Sequence, residues 1–295
     1  MIRPETKQAL CDAGLDPDDV VRVIERGVEE DLGTLGDLTS AATVAADARL
    51  TCRYVPRSDG VIAGVPVLAA IVDHCLGEDA ALVPLASDGE IRRAGEPIAT
   101  IEAAARGMLG AERLTLNLLG HLSGIATVTR AWVDAVTGTS ARIRDTRKTT
   151  PGLRDLEKYA VRCGGGVNHR RGLDDGFLIK DNHVSAAGGV AAALQRVRAA
   201  YPGGEVSIQV EVDDLAELAE AVENGAPAIL LDNFTDEQLA EAVAYVRATR
   251  PEIVLEASGG LSLERAPAVA ATGVDYLAVG SLTHSAPVLD IGLDV

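Results

Sequence analysis

The sequence contains few cysteines, and their spacing does not pair them. Its 295 residues include only Cys11, Cys52, Cys75 and Cys163, with no CxxC motif. Structural zinc sites and disulfide frameworks depend on such spacing, so we expect neither, and the reduced thiols predict a cytoplasmic protein. The first ten residues lack the apolar core of a signal peptide, and no apolar run approaches the roughly 18 residues of a membrane span. We therefore expect no membrane association.

Positive charge is also scarce. The chain has 27 lysines and arginines against 44 aspartates and glutamates, which gives a net charge of -17. Nucleic acids and anionic membranes bind to broad positive fields, so this balance argues against both as partners of the whole molecule. The sequence has no HExxH, GxSxG or Walker A motif, and no GxGxxG in a fitting context. These absences argue against a zinc protease, a serine hydrolase and a nucleotide-binding loop.

The positive charge that is present is concentrated in one segment. Ten of the 27 lysines and arginines lie between Arg142 and Lys180, in or next to the run DTRKTTPGLRDLEKYAVRCGGGVNHRRGLDDGFLIKDNH (145–183). This run mixes cations with glycine, asparagine and histidine, whereas a solvated surface helix would mix them with glutamate. The composition predicts a locally built anion site.

From about residue 140, short β-rich runs alternate with longer segments of helical period, which predicts β/α units with parallel strands. The predicted strands are 141–144, 177–179, 207–212, 228–231, 253–256 and 276–279. The predicted helices are 153–162, 187–200, 214–224, 236–250 and 263–271. Polar residues follow nearly every strand, which favours a barrel mouth over the alternative, an open doubly wound sheet with one crevice.

The first 118 residues predict a separate α+β unit. Its helix spans 17–31, and its short strands lie near 49–56, 61–64, 81–84 and 90–102. A long helical segment over 108–136 follows, and Gly120 and Gly124 are expected to interrupt it. Segment 87–102 has the look of a biotinyl or lipoyl carrier, but it contains no lysine for attachment, so a β-hairpin platform is the better interpretation.

Polar residues at the carboxyl ends of parallel strands converge on one mouth of a barrel and are therefore the candidate site residues. They are Asp145, Arg147, Lys148, Lys180, Asn182, His183, Glu211, Asp213, Asp232, Asn233, Glu256, Ser258, Gly280 and Ser281. Guanidinium groups bind planar oxyanions through two hydrogen bonds, and an ammonium group acts as a point charge. A pocket for a polyanionic small molecule is thus predicted around Arg147, Lys148, His169, Arg170 and Lys180. Surface ion pairing is the alternative, which we favour for Arg154, Lys158, Arg162 and Arg171.

Two glycine-bearing turns follow the last two predicted strands, where barrels often bind phosphate through main-chain N–H groups. One contains Ser258, Gly259 and Gly260, and the other contains Gly280 and Ser281, with His284 close behind. These glycines have an alternative role in tight strand-to-helix turns. The carboxylates Glu211 and Asp232 suit Mg²⁺ or sugar hydroxyls, or else serve as structural counter-charges. We interpret His74 and His121 as packed or surface histidines.

Several of these segments resemble the quinolinate phosphoribosyltransferase family. The similarity is carried by run 145–183 and by EVDDL (211–215), ILLDNF (229–234), LEASGGL (255–261), VDYLAVGSLTH (274–284), AERLTLNLLGHLSGIAT (111–127) and EDLGTLGDLTS (30–40). The resemblance implies an α/β fold with an incomplete β/α barrel at 119–285 and an α+β open-sandwich domain at 1–118, completed by 286–295. It also implies a homodimer, or a higher oligomer, in which each active site borrows residues from the partner chain.

The activity implied by this resemblance is the reaction of quinolinate with 5-phosphoribosyl 1-pyrophosphate, with Mg²⁺ as cofactor. The products are nicotinate mononucleotide, pyrophosphate and CO₂, formed in NAD biosynthesis. Carried over by motif, the quinolinate carboxylates are held by Arg147, His169, Arg170 and Lys180, joined by Arg113 from the other subunit. Lys148 faces the pyrophosphate, and Glu211 and Asp232 hold the ribose hydroxyls and the metal. The 5′-phosphate is held by Ser258, Gly259, Gly260, Gly280, Ser281 and His284. Asn182 and His183 support the site, and the catalytic residues are Lys148, Lys180, Glu211 and Asp232.

Gln209 departs from the family pattern, in which this strand often carries an acid at that position. By strand alternation its side chain shares a face with Glu211, which we retain as the functional acid. Two alternatives are a related phosphoribosyltransferase with a different acceptor and a non-catalytic phosphate-binding protein built on the same barrel. The retained cation set disfavours the first, and the combination of Lys148, Glu211 and Asp232 disfavours the second.

Overall fold

The structure, a computed structural model, describes residues 2–204 and 206–295. Its strands are β1 (Arg49–Pro56), β2 (Gly60–Val61), β3 (Ala81–Pro84), β4 (Ile91–Arg92), β5 (Ala99–Ala104), β6 (Arg142–Arg144), β7 (Phe177–Ile179), β8 (Ile208–Val212), β9 (Ala228–Asp232), β10 (Val254–Ser258), β11 (Tyr276–Ala278) and β12 (Ile291–Asp294). Its helices are α1 (Pro4–Asp12), α2 (Pro17–Leu32), α3 (Leu38–Thr43), α4 (Val65–Leu76), α5 (Ala105–Ala135), α6 (Arg154–Cys163), α7 (Asp181–Ala187), α8 (Val190–Ala200), α9 (Leu215–Glu223), α10 (Asp236–Thr249), α11 (Ala266–Ala271) and α12 (Ser281–His284). None of the helices in these described ranges is long and apolar enough to cross a membrane.

The chain divides into two compact units. The first runs to Arg130 and also contains Thr149–Gly165 and Ser281–Val295, and the second comprises Ala131–Lys148 and Gly166–Gly280. These limits differ from the domain limits predicted from the sequence, because helix α6 packs within the first unit. The hydroxyl of Tyr159 on α6 accepts a hydrogen bond from the main-chain nitrogen of Gly64 at 3.1 Å.

The second unit contains a six-stranded parallel sheet in the order β6-β11-β10-β9-β8-β7. All six strands predicted from the sequence are present, and the predicted incomplete β/α barrel is confirmed. The helices between them begin at favourable caps. Asp214 accepts hydrogen bonds from the main-chain nitrogens of Ala216 and Glu217 at the start of α9, and Thr235 forms a capping box with Gln238 at the start of α10.

The two faces of this sheet differ sharply in polarity. On one face Val210, Ile229, Leu255 and Leu277 are fully buried, and α9 packs on β8 from the helical layer. Burying each such aliphatic side chain stabilises the fold by about 1.5–3 kcal/mol. Alternation along each strand sends the intervening residues to the opposite face, and there the side chains are largely polar.

The first unit is built on a four-stranded antiparallel sheet in the order β12-β1-β5-β3, with a separate β2-β4 pair. Its core combines the apolar side of β1 and β5 with helices α4 and α5, including Ile101, Leu68, Met108 and Leu119. The last strand, β12, pairs with β1, so that Leu293 lies opposite Tyr54. The predicted α+β unit is therefore present, as a small antiparallel sheet covered by helices.

Several features of the first unit were not predicted correctly, among them helices α1, α3 and α4 and the continuity of α5. Helix α4 was missed because its apolar residues do not follow a period of 3.6, since it is buried on most sides. The interruption of α5 was wrong, because α5 continues through Gly120 and Gly124. A Cβ atom at Gly120 would lie 2.8 Å from the carbonyl oxygen of Leu289, and one at Gly124 would clash with the carbonyl oxygen of Pro287. These two glycines allow the segment at Pro287–Leu289 to pack closely against α5.

In the second unit, the single helix predicted over 187–200 is wrong in its first turn. Helix α7 ends at Ala187, before Gly188, and α8 begins after Gly189, with φ values of 87° and 127° at these two glycines. Residues with side chains rarely adopt such angles, so the glycine pair separates two helices. Helix α7 follows β7 directly, and this places Lys180, Asn182 and His183 at its start.

Candidate active site

The polar face of the parallel sheet brings several predicted residues together at the carboxyl ends of the strands. Parallel register places Glu211 of β8 opposite Leu230 of β9, and Asp232 of β9 opposite Ser258 of β10. The sheet is open between its edge strands β6 and β7, and Val167 forms a single bridge to Arg144 at the β6 edge. The chain that follows Val167 carries His169 and Arg170.

Lys180 and Glu211 form an ion pair at this edge. The Nζ atom of Lys180 donates to Oε2 of Glu211 at 2.5 Å, and the Glu211 side chain is 11% exposed against 45% for Lys180. His183 anchors the main chain beneath this lysine, because its Nδ1 accepts from the Lys180 main-chain nitrogen at 3.0 Å. Asn182 is exposed at the start of α7. The pair supplies one acid and one cation for ligands with both hydroxyl and carboxylate groups.

The turns after β9 and β10 are locked together. Asn233 adopts a left-handed φ of 58°, its main-chain nitrogen donates to the carbonyl oxygen of Ser258 at 2.9 Å, and its amide donates to Asp232 at 2.6 Å. Gly259 has a φ of 85°, and a Cβ atom there would lie 2.8 Å from the Asn233 main-chain nitrogen. The two turns therefore present Asp232 and the Ser258–Gly259 main chain side by side.

Arg147 and Arg170 are close enough to repel one another. Burial lowers the pKa of the Arg170 guanidinium, repulsion from Arg147 lowers it further, and Asp175 acts in the opposite direction. Arg170 donates to the carbonyl oxygen of Gly176 at 2.7 Å. Lys148 is exposed just after Arg147. Two guanidinium groups held together in this way are suited to a ligand with more than one negative charge.

His169 is hydrogen-bonded through both ring nitrogens and through its main chain. Its Nε2 lies 2.9 Å from Oε1 of Gln209, and its Nδ1 accepts from the main-chain nitrogen of Arg170 at 2.7 Å. The Asp145 carboxylate, which is fully buried, accepts from the His169 main-chain nitrogen at 2.7 Å. Gln209 was not predicted as a site residue, although its alternation with Glu211 already indicated the face on which it lies.

Three predicted residues belong to the first unit. Arg113 is exposed on α5, Ser281 begins α12, and His284 at the end of α12 is exposed, with its Nδ1 2.7 Å from the hydroxyl of Ser285. The structure thus brings the remaining predicted residues into the second unit and leaves these three in the first.

The predicted surface set within the basic run is wrong in one member. Lys158 is 4% exposed and lies in the buried part of α6, residues 156–161. Its neighbour Glu157 is fully buried and accepts hydrogen bonds from His121 at 2.9 Å and from the Thr150 main-chain nitrogen at 3.0 Å. His121 therefore has a packing role, as interpreted from the sequence.

The described residues contain no cluster of three or more histidine, cysteine, aspartate or glutamate side chains that would hold a metal on its own. Mg²⁺ commonly binds through one or two carboxylates together with substrate phosphates and water. Glu211 and Asp232, at the ends of neighbouring strands, are two carboxylates of the kind that such an ion binds.

These features define a β/α-barrel enzyme with a site for a small polyanionic substrate. The sequence matches the family described as quinolinate phosphoribosyl transferase over both of its domains, at residues 37–123 for the N-terminal domain and 125–294 for the C-terminal domain. The chain belongs to the quinolinate phosphoribosyltransferase family.

Individual relatives agree with this assignment. The chain is 55% identical over 273 residues to a carboxylating nicotinate-nucleotide pyrophosphorylase of Mycobacterium leprae, which covers 92% of this chain and 95% of the relative. It is 44% identical to a probable enzyme of the same name from Bacillus subtilis, with 90% of each chain covered. The crystal structure of the nicotinate-nucleotide pyrophosphorylase of Ehrlichia chaffeensis matches with a TM-score of 0.88 and 37% identity, covering 93% of this chain and 97% of that one.

Proposed function

We propose that the protein transfers the phosphoribosyl group of 5-phosphoribosyl 1-pyrophosphate to the ring nitrogen of quinolinate, with loss of one carboxylate as CO₂. The observation that carries this proposal is that the second unit holds both the neighbouring guanidinium groups of Arg147 and Arg170 and the locked Asp232–Ser258 turns. The guanidinium groups suit a dicarboxylate, and the turns suit a sugar phosphate. The product is nicotinate mononucleotide, a precursor in NAD biosynthesis.

The dicarboxylate is held by Arg147, Arg170 and Lys180, which supply fixed positive charge. Its ring nitrogen must attack the anomeric carbon of the ribose as pyrophosphate leaves, and positive charge then develops on the sugar. The carboxylates of Glu211 and Asp232 hold the ribose hydroxyls and stabilise that charge. Lys148 stabilises the negative charge that gathers on pyrophosphate. No protein nucleophile is required.

Decarboxylation follows from the charge on the new pyridinium ring. Once the nitrogen is alkylated, its positive charge stabilises the electron pair left on the adjacent ring carbon when the carboxylate departs as CO₂. That carbon then takes a proton from water, which gives nicotinate mononucleotide, so the protein needs mainly to hold the ring in place. Magnesium, held by Glu211 and Asp232 together with the phosphates, would neutralise part of the pyrophosphate charge. The 5′-phosphate is held by the turns at Ser258–Gly260 and Gly280 in the second unit. Asn182 and His183 support Lys180 from the start of α7.

The direct test is an assay with two acceptors. Purified protein with quinolinate, 5-phosphoribosyl 1-pyrophosphate and Mg²⁺ should release CO₂ and form nicotinate mononucleotide. Nicotinate lacks the second carboxylate and should give little product, because it leaves one guanidinium without its partner. Equal turnover of nicotinate and quinolinate would contradict the decarboxylating assignment.

The glycine turn after β10 provides a second test. Gly259→Ala should raise the KM for 5-phosphoribosyl 1-pyrophosphate by about tenfold or more, because the new methyl group must displace the Asn233 main chain. Gly260→Ala is the matched control: Gly260 also has a positive φ, of 58°, but a Cβ atom there meets no atom within 4 Å. Steady-state kinetics should show a clearly smaller rise for Gly260→Ala. Equal effects of the two substitutions would mean that backbone strain, and not the contact with Asn233, determines phosphate binding.

A further inference from the structure

Three polar side chains occupy the polar face of the parallel sheet where β/α barrels usually carry valine, isoleucine and leucine. They are Arg144 of β6, Gln209 of β8 and Glu256 of β10. Gln209 is 6% exposed and Glu256 is fully buried. Buried polar groups are costly unless they are hydrogen-bonded, so their arrangement must be satisfied internally. Arg144 and Gln209 each contact Glu256.

Glu256 sets the orientation of the Gln209 amide. Its Oε2 accepts from a guanidinium nitrogen of Arg144 at 2.7 Å and from Nε2 of Gln209 at 3.2 Å. Arg144 is itself held by stacking over the ring of Tyr276, with 4.3 Å between the guanidinium carbon and the ring centroid. A carboxylate paired with a guanidinium only accepts hydrogen bonds, so the amide must turn its NH₂ group to Glu256. Its oxygen then faces His169.

This orientation selects one tautomer of His169. The Gln209 oxygen can only accept, so Nε2 of His169, 2.9 Å away, must carry a proton. The Arg170 main-chain nitrogen donates to Nδ1 over 2.7 Å, so Nδ1 must be unprotonated. The second carboxylate oxygen of Glu256 lies 3.6 Å from the same Nε2 and favours a proton there as well. All of these requirements are met when the proton is on Nε2. Both ring nitrogens are then engaged within the chain, so His169 acts on a ligand mainly through the main chain of Arg170.

We infer that Gln209 is a positioning residue for the acceptor: oriented by Glu256, its amide sets the His169 tautomer that holds Arg170 toward the dicarboxylate. Arg144, His169, Arg170, Gln209 and Tyr276 all line a cavity of about 230 Å³, so the network and Arg170 face one space. An acid at position 209 would offer no N–H to Glu256 and would add a second carboxylate next to it. The inference rests on the proposed function, because it assigns the acceptor to Arg170.

The test replaces the amide by a thioether of similar size. Gln209→Met should raise the KM for quinolinate by about tenfold, because it removes one hydrogen-bond partner from His169 and one from Glu256. The KM for 5-phosphoribosyl 1-pyrophosphate and kcat should change less. Leu230→Met is the matched control, because it makes a volume-conserving change at a buried residue of the neighbouring strand β9 and should leave all three constants within about twofold. An unchanged KM for quinolinate in Gln209→Met would overturn the inference.

A double-mutant cycle tests whether Gln209 acts through His169. The double variant Gln209→Met/His169→Ala should have the quinolinate KM of His169→Ala alone, because the second change removes the group through which the first acts. Independent, multiplied effects would overturn the inference. If Gln209→Met does not fold, ¹⁵N NMR of the wild-type protein at about pH 8, above the usual histidine titration, decides the question. His169, assigned from its loss in His169→Ala, should show a proton on Nε2 and a bare Nδ1, and the reverse tautomer would overturn the inference. The NMR result does not depend on turnover, so it separates this inference from the proposed function.

Discussion

Replacing Lys148 by alanine should lower kcat by about 10²–10³-fold, while the KM for quinolinate changes little. Lys148 lies just beyond β6 and is exposed, and we assign it to the departing pyrophosphate. Negative charge grows on that group only as the bond to ribose breaks. The ammonium group therefore stabilises the transition state more than the bound substrates, and its loss appears in kcat. Steady-state kinetics with both substrates varied would measure the effects on kcat and on the KM for quinolinate separately.

Two further variants serve as comparisons for Lys148→Ala. Arg147→Ala should mainly raise the KM for quinolinate, since a carboxylate is bound equally before and during the reaction. Lys7→Ala removes the same charge from exposed α1 in the first unit and should leave both constants unchanged. If Lys148→Ala raises KM and leaves kcat intact, Lys148 binds substrate and does not assist departure of the pyrophosphate.

Arg113→Ala and Lys180→Ala should each remove nearly all activity as single-variant proteins, yet a mixed dimer of the two should recover about half of the wild-type kcat. We propose that each site combines Lys180 of one chain with Arg113 of the other. In the mixed dimer one site then has both residues intact and the other has neither. Two different affinity tags on the two chains would allow the mixed dimer to be purified and assayed.

A mixed dimer of Lys180→Ala with Glu211→Ala is the matched control. Lys180 and Glu211 form one ion pair within the same chain, so each site of this dimer lacks one of them and no activity should return. Recovery by the Arg113 and Lys180 pair together with none by the control would support a shared site. Absence of recovery in both would place Arg113 in the site of its own chain.

The parallel strands were predictable because their signal is local. Each strand of the second unit is a short run of apolar residues on one face, followed by a polar residue, and each was predicted to within two residues. Strand alternation alone predicts that Gln209 and Glu211 share one face. The assignment of polar residues to strand ends followed from the same pattern, and it located Lys180, Glu211, Asp232 and Ser258 correctly at the carboxyl edge of the sheet.

Several errors arose where burial on most sides or a distant contact removed the local signal. Helix α4 has no polar face, so its periodicity is lost. Gly120 and Gly124 look like helix breakers in sequence, but the carbonyl groups of Leu289 and Pro287 explain them as points of close approach. Lys158 looked like a surface cation because its charge was visible and its burial was not.

The sequence determines which residues form the site, and the tertiary structure determines the contacts that orient them. Charge balance, strand positions and the residue types at the strand ends follow from the chain alone, because they depend on composition and on neighbours a few residues apart. The partners that orient these residues depend on the fold. Arg144 and Glu256 are 112 positions apart and meet at 2.7 Å, and His169 and Gln209 are 40 apart and meet at 2.9 Å. A hydrogen bond specifies a tautomer or an amide orientation only at such short distances, so these details arise only when packing brings distant strands together.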